Sequence, residues 1–121
     1  MESSMQYRKD PKNGNQLSVL GFGCMRFPRN ADLCDELITT AVKSGINYFD
    51  TAHLYIGNEA ALGKILKKHD LRKEIFIADK LPHFRCKSRK DIDKLFDESL
   101  ERLQTDYIDY YLIHNIGSTK A

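Results

Sequence analysis

Four side chains of the kinds that move protons recur along this chain of 121 residues. Asp50 closes the apolar, β-branched and aromatic run 46-INYFD-50, and Tyr55 follows five residues later in 51-TAHLY-55. Lys80 stands near the end of a second apolar run, 74-EIFIADKL-81, and His114 directly follows a third, 107-YIDYYLI-113. A phenol can serve as a proton donor where a neighbouring ammonium stabilises the phenolate left behind. A carboxylate can hold that ammonium, and an imidazole can hydrogen-bond to the group that receives the proton. Together the four types permit acid–base chemistry. A plainer reading also fits each of them: Asp50 and Lys80 as a structural ion pair, His114 as a satisfied strand-end histidine, and Asp50-Thr51 as a turn entry. The elements that carry the four residues decide whether they can meet.

Those elements alternate. Asn13-Gly14 is a hairpin signal, so residues 5–8 and 16–19 are expected to pair as an N-terminal β-ribbon that continues into 19-VLGFGC-24. A helix is expected over 32–44, capped by Asp32, with Leu33, Leu37, Ile38, Ala41 and Val42 on its apolar face and Gly45 as a left-handed stop. Residues 46–50 read as a strand, and 58–68 as a helix capped by Asn58 with Leu62, Ile65 and Leu66 inward. Gly63 inside that helix costs about 1 kcal/mol against alanine, which is tolerated where a helix must lie close to a neighbour. A strand at 74–81, a helix at 88–104 opened by the capping pattern Ser88–Asp91, and a strand at 107–113 complete the series. The expected class is therefore α/β, with a parallel sheet and right-handed crossovers.

Two architectures share that order. A doubly wound nucleotide-binding domain calls for Gly-x-Gly-x-x-Gly after the first strand, but 21-GFGCMR-26 has Arg26 where the third glycine belongs. A (β/α)8 barrel instead gathers its functional groups at the C-terminal ends of successive strands. Asp50, Lys80 and His114 each end a strand, and alternation puts Tyr48 and Ile46, Ala78 and Phe76, and Leu112 and Tyr110 on the same inward face.

Composition narrows the partners. Lys+Arg 19 against Asp+Glu 17, with no basic stripe, argues against a nucleic-acid binder. No run approaches the ~18 apolar residues of a membrane helix, and the opening MESSMQYRKD lacks the apolar region of a secretory signal. Cys24, Cys34 and Cys86 match no zinc spacing and read as free thiols of a reducing cytoplasm. No ligand set completes a metal site around His53 and Asp50; His69 and His83 read as surface or loop residues, and Tyr107, Tyr110 and Tyr111 as core.

The segments 19-VLGFGCMRFP-28, 49-FDTAHLYIGNE-59, 62-LGKIL-66, 76-FIADKL-81 and 102-RLQTDYIDYYLIHNI-116 resemble the aldo-keto reductase family, in the family's order and over nearly the whole chain. The wording GFGCMR and YLIHN is similar to a bacterial branch that often carries a C-terminal iron–sulfur motif, which these residues lack. The resemblance implies the N-terminal half of a (β/α)8 barrel: a hairpin at 5–19, then β/α units one to four over 19–114 of a partial barrel domain 1–121. It implies a catalytic tetrad at Asp50, Tyr55, Lys80 and His114, with Gly23, Cys24, Met25 and Asp50 near the nicotinamide of NADPH or NADH. The implied reaction reduces a small-molecule carbonyl to an alcohol, Tyr55 giving the proton.

Three features depart from that pattern. Ile56 stands between Tyr55 and Gly57, where relatives often run Tyr-Gly, and Asp79 beside Lys80 is expected to point away from the barrel interior yet compete with Asp50 for the ammonium. A full barrel takes about 250 residues, so this chain is expected to carry the acid–base groups without most of the cofactor grip and to be inactive alone. Its open sheet edges are expected to favour self-association. A non-catalytic half-barrel that pairs with another chain, and an unrelated α/β enzyme, remain as alternatives.

Overall fold

The computed structural model describes residues 4–117; Met1–Ser3 and residues 118–121 lie outside the described residues. The hairpin forms as expected from its Asn-Gly turn: β1 (Tyr7–Lys9) pairs antiparallel with β2 (Gln16–Ser18), with Tyr7 opposite Ser18 and Gly14 at φ 81°. Four parallel strands follow in sequential order: β3 (Phe22–Gly23), β4 (Tyr48–Asp50), β5 (Phe76–Leu81) and β6 (Tyr110–Ile113). Each crossover carries one α-helix: α1 (Ala31–Lys43), α2 (Asn58–Lys68) and α3 (Arg89–Leu103), with short 3-10 turns at Arg72–Glu74 and His83–Arg85. This is the expected α/β class, one α-helix per parallel step.

Alternation along the strands separates two faces. Phe49, Ile77 and Asp79 point to the helical layer and are fully buried. The apolar members pack with Cys34 and Ile38 of α1, Leu62, Ile65 and Leu66 of α2 and Leu103 of α3. Paired residues share a face, so Gly23, Asp50, Ala78 and Tyr110 form one row across the opposite side of the sheet. Tyr48, expected on that side, meets Tyr110 with ring centroids 5.8 Å apart.

The helices hold three corrections. Asn30, not Asp32, caps α1: its Oδ1 accepts from the N–H groups of Asp32 and Leu33, placing Asp32 within the first turn. The buried stripe of α1 is Cys34, Ile38 and Ala41, while Leu33 and Leu37 are exposed. Asp35 binds Lys68 Nζ and His69 Nε2 at the end of α2, and at 100° per residue Leu33 and Leu37 fall on the opposite flank. Asn58 does not cap α2 either; Gly57 does, at φ 76°, and Asn58 is the first helical residue with its side chain directed elsewhere. Ser88 caps α3 as expected, accepting from Asp91 N–H, and Gly45 takes the left-handed stop at φ 97°.

The three tyrosines near β6 disperse instead of forming a core. Tyr107 is exposed under the Arg72 guanidinium, Tyr111 meets Phe96 of α3, and Tyr110 reaches the hairpin. The Tyr110 hydroxyl donates to Asp10 Oδ2 at 2.8 Å and accepts from the amides of Asn13 and Asn15, each at 3.2 Å.

Candidate active site

Asp50 occupies the last position of β4, opposite Gly23 on one side and Ala78 on the other. Lys80 is two residues further along β5, so the register alone would leave the two apart. The long lysine side chain closes the gap, reaching back across the strand boundary to donate from Nζ to Asp50 Oδ1 at 2.5 Å. The same nitrogen donates to the Thr51 carbonyl at 3.0 Å and to the Tyr55 hydroxyl at 3.4 Å. Three acceptors match the three protons of an ammonium. Thr51 O, which sequence reasoning did not single out, is the first backbone group after the strand and carries no side-chain signature.

Tyr55 comes back over the sheet because the chain turns twice between β4 and α2: Tyr55 N–H donates to the Ala52 carbonyl and Asn58 N–H to the Tyr55 carbonyl. Lys80 Nζ lies 5.1 Å from the centre of the Tyr55 ring. The His114 ring meets it edge-on, centroids 5.8 Å apart, held by the His114 N–H donating to the Leu81 carbonyl at 2.9 Å. All four candidate residues therefore stand in one group at the C-terminal end of the sheet. His114 Nδ1 is buried without a partner among the described residues.

Electrostatics follow from the partners. Burial pulls the Lys80 ammonium down, but the hydrogen bond and charge of Asp50, then Tyr55, outweigh it and hold the group above the usual lysine range. Burial, then the Lys80 charge, holds the His114 imidazole below the ordinary histidine range, so its neutral form is favoured. The expected competition from Asp79 does not occur. Asp79 faces the helical layer, accepts its neighbour's backbone N–H at Oδ1 and leaves the ammonium to Asp50.

Beside Asp50, the chain leaving β3 runs through Gly23, Cys24 and Met25. Cys24 N–H donates to the Asp50 carbonyl at 2.8 Å and its thiol is fully buried, pushed well up by that burial and then by the Asp50 charge. Met25 is exposed. The Asn58 amide donates to both the Cys24 and Met25 carbonyls, at 2.5 and 2.9 Å, tying this loop to the start of α2. Its helix-start position gave the reason to read Asn58 as a cap, and nothing local signals the longer reach.

Comparison with known proteins fits this arrangement. The family model for the aldo/keto reductase family matches residues 19–121. The chain belongs to the aldo-keto reductase family. It is 32% identical to the protein tas of Escherichia coli, over 91% of this chain and 38% of that one, and 38% identical to morphine 6-dehydrogenase of Pseudomonas putida, over 84% and 33%. Among solved structures, the holo form of the aldo-keto reductase AKR11C1 from Bacillus halodurans superimposes with a TM-score of 0.78 at 36% identity, covering 90% of this chain and 40% of that one. An aldo-keto reductase of Klebsiella pneumoniae in complex with NADPH, 21% identical, shares the fold with a TM-score of 0.80. This aldo-keto reductase chain thus spans well under half the length of the relatives it matches, and its four parallel strands correspond to the N-terminal half of their (β/α)8 barrels. Among the described residues no helix is long and apolar enough to cross a membrane.

Proposed function

We propose that this chain carries the acid–base half of a nicotinamide-dependent carbonyl reductase, with Asp50, Tyr55, Lys80 and His114 as its catalytic residues. The observation that carries this reading is the single ammonium bound at once to Asp50, the Thr51 carbonyl and the Tyr55 hydroxyl. A carbonyl that accepts hydride becomes an alkoxide and needs a proton at oxygen. Tyr55 gives that proton, Lys80 stabilises the phenolate left behind, and Asp50 fixes the ammonium. Neutral His114 donates a hydrogen bond to the same carbonyl oxygen and orients it.

The residues fit a nicotinamide beside Asp50. Gly23 shares the Asp50 row, and a Cβ added there would meet nothing within 4 Å, so the backbone leaves a flat open face where a planar ring can lie. Gly23, Met25 and Asp50 would line it, while Cys24, expected there as well, is fully buried in the core on the helix side and would not; the bound group supplies the hydride. NADPH and NADH suit this face equally, since the groups that tell them apart lie at the far end of the cofactor. The partner is a small carbonyl compound, with neither nucleic acid nor membrane involved, and the setting is the cytoplasm. The partial barrel runs as one domain over 1–121 and is inactive alone.

A chimera tests the machinery: residues 19–114 replace the matching half of the Bacillus halodurans barrel, and reduction of a simple aldehyde by NADPH is followed. Tyr55→Phe should cut kcat by about 10²–10⁴-fold, the usual worth of a general acid; an active chimera indifferent to it would remove Tyr55 from the mechanism. A second reading, a non-catalytic half-barrel completed by another chain, is favoured by the apolar side chains exposed beside both sheet edges, Val19 and Leu20 by β3 and Ile113 and Ile116 by β6. Titrating the 121-residue chain with reduced cofactors, with light scattering on the same sample, separates the two: saturable binding by a defined dimer supports pairing.

A further inference from the structure

Behind the active face lies a second polar group that the proposed chemistry does not use. Asp79, on β5 and facing the helices, is fully buried, and Glu59, in the first turn of α2, is 1% exposed. Each has one oxygen accounted for. Asp79 Oδ1 accepts from Lys80 N–H at 2.8 Å, and Glu59 Oε1 from Arg102 Nη1 of α3 at 3.1 Å. The other two oxygens, Asp79 Oδ2 and Glu59 Oε2, are buried with no donor. The Asp79 and Glu59 carboxyl groups lie within hydrogen-bonding reach of one another; two carboxylates cannot satisfy one another, but one proton between them turns two orphaned acceptors into a hydrogen bond.

We propose that Asp79 and Glu59 share a single proton in the folded chain at neutral pH, and that this bridge is a positioning device, pinning the first turn of α2 to β5 and so fixing Tyr55 relative to Lys80. Charge balance supports it: with one shared proton the pair carries one negative charge against the one positive charge of Arg102. The surroundings offer little else. From β5 the Lys80 ammonium points to the opposite face; from β6 comes Tyr111, whose buried hydroxyl has no partner; from α3 come Arg102, Glu98 and the buried, unpartnered Ser99 Oγ. From the loop before α2 comes His53, 3.5 Å from Glu98, and after β5 lies Cys86, near enough to be felt at Tyr111. The connectivity makes the bridge relevant to the active face. Asp79 is the neighbour of Lys80, Glu59 follows Tyr55 by only four residues, and Arg102 also donates to the His53 carbonyl at 3.4 Å, within the same loop. When the proton leaves for solvent at alkaline pH, two buried carboxylates face one guanidinium and the turn is pushed off the strand. Burial, then the Glu59 carboxyl, raises Asp79 to about 8, which places that event just above neutrality.

The bridge itself does not depend on the proposed catalysis; only its consequence for Tyr55 rests on that reading. Infrared difference spectra of the folded 121-residue chain in D2O test the first part. A protonated-carboxyl stretch should be present at pH 6, lose half its intensity near pH 8 and vanish at higher pH, and be missing from both Asp79→Asn and Glu59→Gln, with circular dichroism confirming that the variants fold. No such band in the folded parent, or a band that survives both substitutions, overturns the bridge. The tyrosine Cζ resonance of Tyr55, assigned through Tyr55→Phe, tests the second part. It should shift with the same midpoint as the infrared band, and that step should disappear in Asp79→Asn, whose amide keeps a neutral bond to Glu59. A band that titrates while Tyr55 stays still overturns the positioning role and leaves the assignment of Tyr55 as acid untouched.

Discussion

Gly63→Ala sets two effects of opposite sign against each other. Alanine in a helix interior is favoured over glycine by about 1 kcal/mol, so helix propensity alone predicts a stabilised α2. Packing predicts the reverse. A Cβ at position 63 would lie 2.5 Å from the Leu103 carbonyl carbon and 2.6 Å from both Leu103 Cα and the Arg102 oxygen. All three are backbone atoms of α3 or its end, so no side-chain rotation relieves them. Ordinary contact needs about 3.5 Å, so α2 and α3 must part by roughly 1 Å. Overpacking of this kind costs ~1–3 kcal/mol, and contacts against backbone belong at the upper end. The net is a loss of about 2 kcal/mol, roughly 30-fold in the folding equilibrium at tenfold per ~1.4 kcal/mol. With a urea slope of ~2 kcal/mol/M, the unfolding midpoint should fall by about 1 M at unchanged slope. A midpoint that stays put or rises would refute the claim that closeness to α3, and not chance, keeps glycine there.

Other expectations follow from single contacts. Asn30→Ala should cost about 1 kcal/mol of stability through loss of the α1 cap, whereas Asp32→Ala should cost only a few tenths through the helix dipole; chemical denaturation of both variants checks the order. Tyr110→Phe removes a hydroxyl that joins the hairpin to β6 and should lower stability by about 1 kcal/mol, with faster hydrogen exchange at Gln16–Ser18 as its local sign. For Asp79, raised from 3.8 to about 8, the contribution to stability is fully present below the unfolded value and lost as pH rises through 8; Asp79→Asn should flatten that part of the stability–pH curve. His114, held below its ordinary 6.5 by burial and Lys80, works the other way. The unfolded chain takes up the proton first, so stability should decline as pH falls below 6.5, and the imidazole NMR titration midpoint should lie below that value.

The order of elements was legible because each helix carries its apolar residues at helical spacing and the apolar strand runs are separated by turn residues and polar segments. Asp50, Lys80 and His114 could be placed on one face from strand alternation alone. Their meeting could not, because Asp50 pairs in register with Ala78 and only the length of the lysine side chain brings the charges together. Asp32 reads as the α1 cap, but Asn30, two residues earlier, takes that place, since the deciding factor is which backbone N–H groups point back at the oxygen. Leu33 and Leu37 are exposed because the buried stripe of α1 is centred on Cys34, Ile38 and Ala41, and helical spacing alone does not say which of two adjoining apolar stripes meets the sheet.

The residues that escaped sequence reasoning share one property: they act across sequence distances at which spacing carries no signal. Asn58 reaches back to the carbonyls of Cys24 and Met25, Arg102 crosses from α3 to Glu59, and Tyr110 joins the end of the sheet to Asp10. The hairpin is tied at its other end as well, where Ser18 and Asn47 exchange hydrogen bonds, N–H to Oδ1 at 2.8 Å and N–H to Oγ at 3.0 Å. It therefore braces β4 and β6 from beneath while Asn58 and Arg102 brace the loops above. Among the described residues the sheet ends at β3 and β6, and these ties join its strands and loops around Asp50, Tyr55, Lys80 and His114. The chemistry is written in residue type, and its geometry in contacts between residues far apart in the chain.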